Sequence, residues 1–337
     1  MFGLARARAL WGRWWILPFV PALFALGLFV APWGRVRPEH LALAVACLLL
    51  GFWGPRTQRF LADIAPFVVV GLGYDLVRYA RPLFVSEGRV LGCSLRHAEL
   101  TLFGVGPNTT VGEFFAQHHT PALDLFFAVP YTVFVYVAFT YAAYLFFRDR
   151  PRMRRYLYSF AIANYISFAC WLLIPVAPPW YLHTHGCAID LSTAPSPAGL
   201  ARVDELLGIH YFAGFYGRAS SVFGAMPSMH CAYPLIGLLT AWRVARWNTR
   251  VVHIAYCICM ASAALYLDHH WLLDAVGGWL TAFVAVALAD RLLARSRVAT
   301  AATAPVPLDG VVPVQVRSPL VLSDKSALRA LSNQEQL

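Results

Sequence analysis

Charge is what this 337-residue chain has least of. Only 13% of its residues are Asp, Glu, Lys or Arg, against roughly 25% in an ordinary soluble domain. With 59% hydrophobic residues, a water-soluble single core is excluded, and so is a disordered or collagen-like main body. Lysine is almost missing: Lys325 is the only one, and the remaining basic charge is arginine. A formal net charge of +10 would by itself suggest a nucleic-acid partner. The arginines, however, fall in short clusters between apolar runs, as cytoplasmic loops of a membrane protein do, so no nucleic-acid partner is expected. The seven cysteines show no CxxC spacing. Most sit in apolar runs, where cysteine acts as a small hydrophobe, and no metal or redox motif follows from them.

What the chain does have is long uncharged runs. Residues 14–34 carry no charge over 21 positions, and residues 125–147 none over 23. Each is long enough to cross a bilayer. Further apolar segments cover 41–55, 60–74, 156–180, 227–243, 251–267 and 271–289. The pattern predicts an all-α, polytopic transmembrane helix bundle of six to eight helices, best read as eight. Basic clusters at the N-terminus and at 56–59, 148–155, 243–250 and 291–297 then share one side, the cytoplasmic one by the positive-inside rule. Both termini lie there. The polar segments 86–121 and 181–226 and the turn at 268–270 share the opposite face. The chain divides into N-terminal transmembrane helices (1–59), a catalytic membrane domain (60–297) and a disordered tail (298–337), rich in Ala, Thr, Pro and Val without period.

Two segments bring unusual residues to that non-cytoplasmic face: Gly224-Ala225-Met226-Pro227-Ser228-Met229-His230 and Tyr266-Leu267-Asp268-His269-His270-Trp271-Leu272-Leu273-Asp274. Ionisable groups at a membrane-embedded surface are costly and mark function by default. His270 and Asp274 are four apart, hence on one helix face. A carboxylate there holds one imidazole nitrogen and leaves the other free as a nucleophile. Ser228 and His230 fall in the first turn of the preceding helix, whose N–H groups suit a phosphate. His230 is placed to protonate a leaving oxygen.

Pro-Ser-x-His followed some 40 residues later by His-x-x-x-Asp resembles the type 2 phosphatidic acid phosphatase superfamily. The fuller strings Phe-Gly-Ala-Met-Pro-Ser-Met-His and Tyr-Leu-Asp-His-His-Trp-Leu-Leu-Asp-Ala-Val-Gly-Gly, with Tyr74-Asp75-x-x-Arg78, are similar to its inositol phosphorylceramide synthase branch. The resemblance implies a phosphatidic acid phosphatase-like helix core and two-step phosphoryl transfer. It makes His270 the nucleophile, Asp274 its orienting partner, and His230 the acid and then the base. It implies membrane lipids as substrates and no cofactor or metal. Departures from the phosphatase pattern are specific. Its lysine position is Tyr74 here, although Arg81-Pro82 fits; its Ser-Arg pair is Ala263-Ala264; and Met229 stands for the usual Gly. Two phosphate-clamping cations are therefore missing, which favours a phosphodiester substrate over a more highly charged monoester.

A phosphate still needs positive charge. Arg78, Arg81 and Arg218, in that order, are the candidate ligands beside Ser228, with Asp75 to orient Arg78 and with Tyr74 and His269 as secondary residues. Against these stand plainer readings: a buried polar network for the triad, and snorkelling arginines. His183-x-His185-x-Cys187 reads as a loop histidine pair rather than a metal site. Cys93 and Cys187 both fall on the outer side, where an oxidising compartment would let them pair. Three functions stay open at this level: a lipid phosphotransferase moving a phosphoinositol-like head group, a lipid phosphate phosphatase using the same triad with water, and a non-enzymatic transporter or lipid-binding protein.

Overall fold

The computed structural model describes residues 4–31 and 34–302, with side chains described for 8–31 and 34–295. The tail beyond 302, expected to be disordered, lies outside the described residues. Among the described residues fourteen α-helices run in order: α1 (Leu4–Trp11), α2 (Val20–Val30), α3 (Pro38–Trp53), α4 (Pro55–Phe84), α5 (Cys93–Phe103), α6 (Val111–Gln117), α7 (Pro121–Arg148), α8 (Arg150–Leu173), α9 (Pro179–His185), α10 (Ala201–Leu207), α11 (Tyr211–Tyr216), α12 (Met229–Ala241), α13 (Trp247–Tyr266) and α14 (Leu272–Ala302). Met1–Arg295 forms one compact unit; of the second, Ser296–Leu337, only helical residues up to 302 are described.

Local chemistry sets the helix starts. Thr120 Oγ1 accepts from the Leu123 N–H at the head of α7, with Pro121 in the first turn. Asp149 accepts from the Arg152 N–H at the head of α8. These caps supply partners for N–H groups a helix cannot satisfy itself.

Five helices are long and apolar enough to cross a membrane: α4, α7, α8, α13 and the Leu272–Arg295 part of α14. Arg8–Trp14 and Leu17–Val30 qualify together but meet at an 86° bend. Among the described residues this makes five or six spans, at or below the low end of the six to eight that the sequence predicts and short of the eight it best fits. The shortfall has a physical reason. Segment 14–34 is broken, and α3 and α12 are apolar but shorter. At 13 residues, α12 spans only about 20 Å. It needs no more, because it packs inside the bundle against α7, α8 and α13.

The arginine-rich ends are tied by ion pairs. Arg150 and Arg154 of α8 both reach Asp63 of α4, the latter at 2.8 Å, and Arg155 pairs with Asp290 of α14 at 2.6 Å. At the other end, Cys93 and Cys187 form a disulfide with a Cα–Cα distance of 5.5 Å. It joins the start of α5 to the loop after α9. Around it a short ladder links Leu91, Val176 and Gly224, and this ladder leads directly into α12.

Candidate active site

The first turns of α12 and α14 are locked together. Ser228 caps α12, its hydroxyl accepting from the Cys231 N–H at 3.4 Å. Its own N–H donates to the Asp274 carbonyl at 2.9 Å. Gly278 makes the approach possible: a Cβ there would lie 2.2 Å from the Ser228 carbonyl oxygen.

The turn before α14 is equally constrained. Asp268 adopts φ +62°, a left-handed conformation that short polar side chains tolerate better than most. The N–H groups of His269 and His270 both donate to the Ala264 carbonyl at 3.2 Å. Ala263 and Ala264 are fully buried, so the space that a Ser-Arg pair would need is closed by core. Trp271 donates its indole N–H to the Ala177 carbonyl at 2.9 Å.

From this frame the reactive groups converge. His270 Nε2 lies 3.1 Å from His230 Nδ1. On its other side, His270 Nδ1 lies 3.4 Å from Asp274 Oδ2. That same oxygen accepts from the Trp271 N–H at 2.9 Å. Tyr131 of α7 stacks on His230 with ring centroids 4.0 Å apart, its hydroxyl 3.3 Å from Nδ1. The arrangement can present one imidazole nitrogen to an electrophile while a second imidazole exchanges a proton with the group leaving it.

Both histidines line a cavity of about 430 Å³. Its walls run down α4, α7 and α8 through Phe67, Val70, Phe134, Phe139, Phe160 and Trp171. Among the described residues lining it there is no lysine or arginine. The sequence-predicted phosphate ligands lie elsewhere. Arg78 donates to the Arg218 carbonyl at 2.7 Å and faces Asp75 at 3.6 Å. Asp75 also pairs with Arg37 and, at 3.0 Å, with His40, both on the N-terminal side of the chain. Arg81 and Arg218 are likewise outside the lining. Tyr74 does line the cavity, and its hydroxyl accepts from the Ser220 N–H at 3.3 Å. His269 is wedged between Tyr131 and Tyr216, with Nε2 3.0 Å from the Pro197 carbonyl oxygen. Burial and the neighbouring His270 push its pKa down to about 3, so it is neutral. No group of three or more His, Cys, Asp and Glu side chains among the described residues is arranged for a metal ion.

A family profile described as the PAP2 superfamily matches residues 101–288. Phosphoinositol dihydroceramide synthase of Bacteroides thetaiotaomicron is 34% identical over 257 residues, covering 73% of this chain and 84% of that one. The chain belongs to the PAP2 superfamily. Two fungal relatives are also similar. Inositol phosphorylceramide synthase of Candida albicans is 31% identical over 163 residues, 47% of this chain and 34% of its own. The inositol phosphorylceramide synthase catalytic subunit of Schizosaccharomyces pombe is 28% identical over 282 residues, 77% of this chain and 65% of its own. No solved structure matches. This PAP2 superfamily member is therefore an integral membrane enzyme, a lipid phosphotransferase by the company of its relatives.

Sequence reasoning did not find Tyr131 or Glu99. The Glu99 carboxylate on α5 accepts from the Leu272 and Leu273 N–H groups at 2.7 and 3.0 Å, so it caps the helix that carries Asp274. Burial pushes the Glu99 carboxyl above its ordinary value, outweighing those two hydrogen bonds. A lone acid in the otherwise apolar stretch around residues 98–103 is the signal that was there to be read.

Proposed function

We propose that this enzyme moves a phosphoinositol head group from a phosphatidylinositol-type donor to the hydroxyl of a ceramide-like lipid through a phosphohistidine at His270. The observation that carries the reading is the 3.1 Å contact between His270 Nε2 and His230 Nδ1 at the head of a 430 Å³, largely apolar cavity free of lysine and arginine among its described lining residues. A monoester dianion would be poorly held there, whereas a singly charged phosphodiester needs fewer cations. The names of the bacterial and fungal relatives support the same head group and acceptor class.

In the first step the lone pair on His270 Nε2 forms a bond to phosphorus. The bond from phosphorus to the diacylglycerol oxygen breaks, and His230 gives its proton to that oxygen. Asp274 holds Nδ1–H and balances the charge on the substituted imidazole. In the second step His230 takes the proton from the acceptor hydroxyl, whose oxygen attacks phosphorus as the N–P bond breaks. Ser228 fixes the first turn of α12, whose N–H groups face the phosphate oxygens. Arg78, Arg81 and Arg218 attract anionic lipid to the outer rim. We assign the site to the non-cytoplasmic face and both termini to the cytoplasm; the arginine clusters near Asp63 and Asp290 and the disulfide at the opposite end support that sidedness.

The test is turnover by purified protein in mixed micelles of head-group-labelled phosphatidylinositol with ceramide or diacylglycerol, and phosphatidate in parallel. A labelled inositol-phosphate lipid that disappears in His270→Ala is expected. Free phosphate from phosphatidate, lost in the same variant, would make the enzyme a phosphatase instead. Activity surviving His270→Ala would overturn the phosphohistidine step.

A further inference from the structure

Buried hydrogen-bonding groups in folded proteins nearly always find a partner. Four in this cavity do not: His230 Nε2, which belongs to the reacting pair, and three groups outside it. The hydroxyls of Ser220 and Ser221 and the indole N–H of Trp171 are shielded from solvent, line the cavity that holds His230 and His270, and have no hydrogen-bond partner among the described residues. Ser220 is 3% exposed.

The groups are held firmly. The Ser220 N–H donates to Tyr74. Three residues on, the loop is paired to Val176, whose N–H donates to the Phe223 carbonyl at 2.9 Å. Gly224 lets the indole lie against this loop, since a Cβ there would sit 3.1 Å from Trp171 Cδ2. The loop and the tryptophan therefore form one pre-organised wall of the cavity.

The chemistry of the wall is neutral. Two hydroxyls can each donate and accept, and one indole donates. Such a set matches ring hydroxyls, which also donate and accept, better than it matches an anion, for which a cation would be the natural partner. We propose that Ser220, Ser221 and Trp171 form a polyol subsite that binds the hydroxyls of the transferred head group and sets head-group specificity. The proposal rests on the transferase reading for its ligand, since an inositol ring is the polyol in question. It also explains a loop that the motifs leave unused: Ser220-Ser221 precedes the Pro-Ser-x-His string and belongs to no part of it.

The experiment uses the purified full-length protein with Ser220→Ala, Ser221→Ala and Trp171→Phe. Each variant is expected to raise KM for phosphatidylinositol by about three- to tenfold, the loss of one neutral hydrogen bond. The turnover number and KM for ceramide should stay within about twofold. Donor analogues lacking one ring hydroxyl separate recognition from folding. For one analogue per variant, the loss on mutation should vanish, because its partner is already gone. An equal loss with every donor, or unchanged donor KM in all three variants, would overturn the subsite. A second arm does not depend on turnover: binding of the phosphodiesters glycerophosphoinositol and glycerophosphoglycerol to the wild-type and variant proteins. Wild type should prefer the inositol compound by about tenfold, and the serine variants should erase that preference. Equal affinity in wild type would overturn the proposal. A wild type that prefers the inositol compound but does not turn over phosphatidylinositol would refute the donor assignment while leaving the subsite standing.

Discussion

Gly278→Ala should disable this enzyme, while Gly277→Ala, one residue earlier, should not. The new Cβ at 278 would lie 2.2 Å from the Ser228 carbonyl oxygen, 3.1 Å from its carbonyl carbon and 3.3 Å from Cys231 Cβ. The nearest of these is backbone, so no side chain can rotate away. Restoring an ordinary contact requires α12 and α14 to part by about 1 Å. That movement would draw His230 from His270, now 3.1 Å apart, and lengthen the bond from the Ser228 N–H to the Asp274 carbonyl, now 2.9 Å. A misplacement of ~1 Å between reacting groups costs on the order of 100-fold in rate. Overpacking of this kind also costs about 1–3 kcal/mol of stability. At 277 the nearest atoms to a new Cβ are Pro227 Cβ at 3.5 Å and Met226 Cγ at 3.6 Å, an ordinary contact. There the change removes a helix-weakening glycine, worth up to about 1 kcal/mol in favour of the variant. The assay is initial-rate lipid transfer at saturating donor and acceptor, with thermal unfolding in the same detergent. A Gly278→Ala enzyme within about threefold of wild type, or a Gly277→Ala enzyme equally impaired, would refute the claim that helix approach sets the histidine geometry.

Three other outcomes are expected. Glu99→Ala leaves the Leu272 and Leu273 N–H groups without their partner, so it should lower stability by about 1–3 kcal/mol and depress turnover; calorimetry and initial rates measure both. Reducing the Cys93–Cys187 bond, which closes a separation of 94 residues, should lower the unfolding midpoint, with a loss of up to roughly 4 kcal/mol, and Cys93→Ala should remove the response to reductant. The hydrogen bond from His183 to Asp268, at 2.8 Å, raises the His183 pKa above its ordinary 6.5. The protonated form is thus favoured by the fold, so this stabilisation is complete below pH 6.5 and lost as pH rises through the elevated value. The unfolding midpoint should fall over that window in wild type and fall less in His183→Asn.

Much of this was legible from residue spacing. His270 and Asp274, four apart, were expected on one helix face; they do lie 3.4 Å apart, but His270 sits in the turn before α14, which begins at Leu272. Ser228 was expected within the first turn of its helix; it lies one position earlier, as the cap before Met229. Each predicted apolar segment contains a helix, yet hydropathy overstated the number of full spans. Composition cannot distinguish a membrane-crossing helix from one such as α12 that is short and buried by protein on all sides. The phosphate-binding arginines were inferred from charge and chain position. In the fold Arg78 faces Asp75, three residues away as its spacing suggests, and donates to the Arg218 carbonyl, a partner 140 residues away that no local pattern encodes. The Ser220-Ser221 wall was invisible for the same reason. A serine pair in a loop means little until Trp171 and Tyr74, each from a different helix, are brought beside it.

The double lock between α12 and α14, made by the Ser228 N–H on one side and Gly278 on the other, separates two jobs in evolutionary terms. The reacting histidines ride on one rigid piece, and the walls facing them belong to α4, α7 and α8. Replacement of Phe67, Val70 or Phe139 can therefore reshape the room for lipid chains without disturbing the distance between His230 and His270. A lineage built this way can change its lipids while keeping its chemistry.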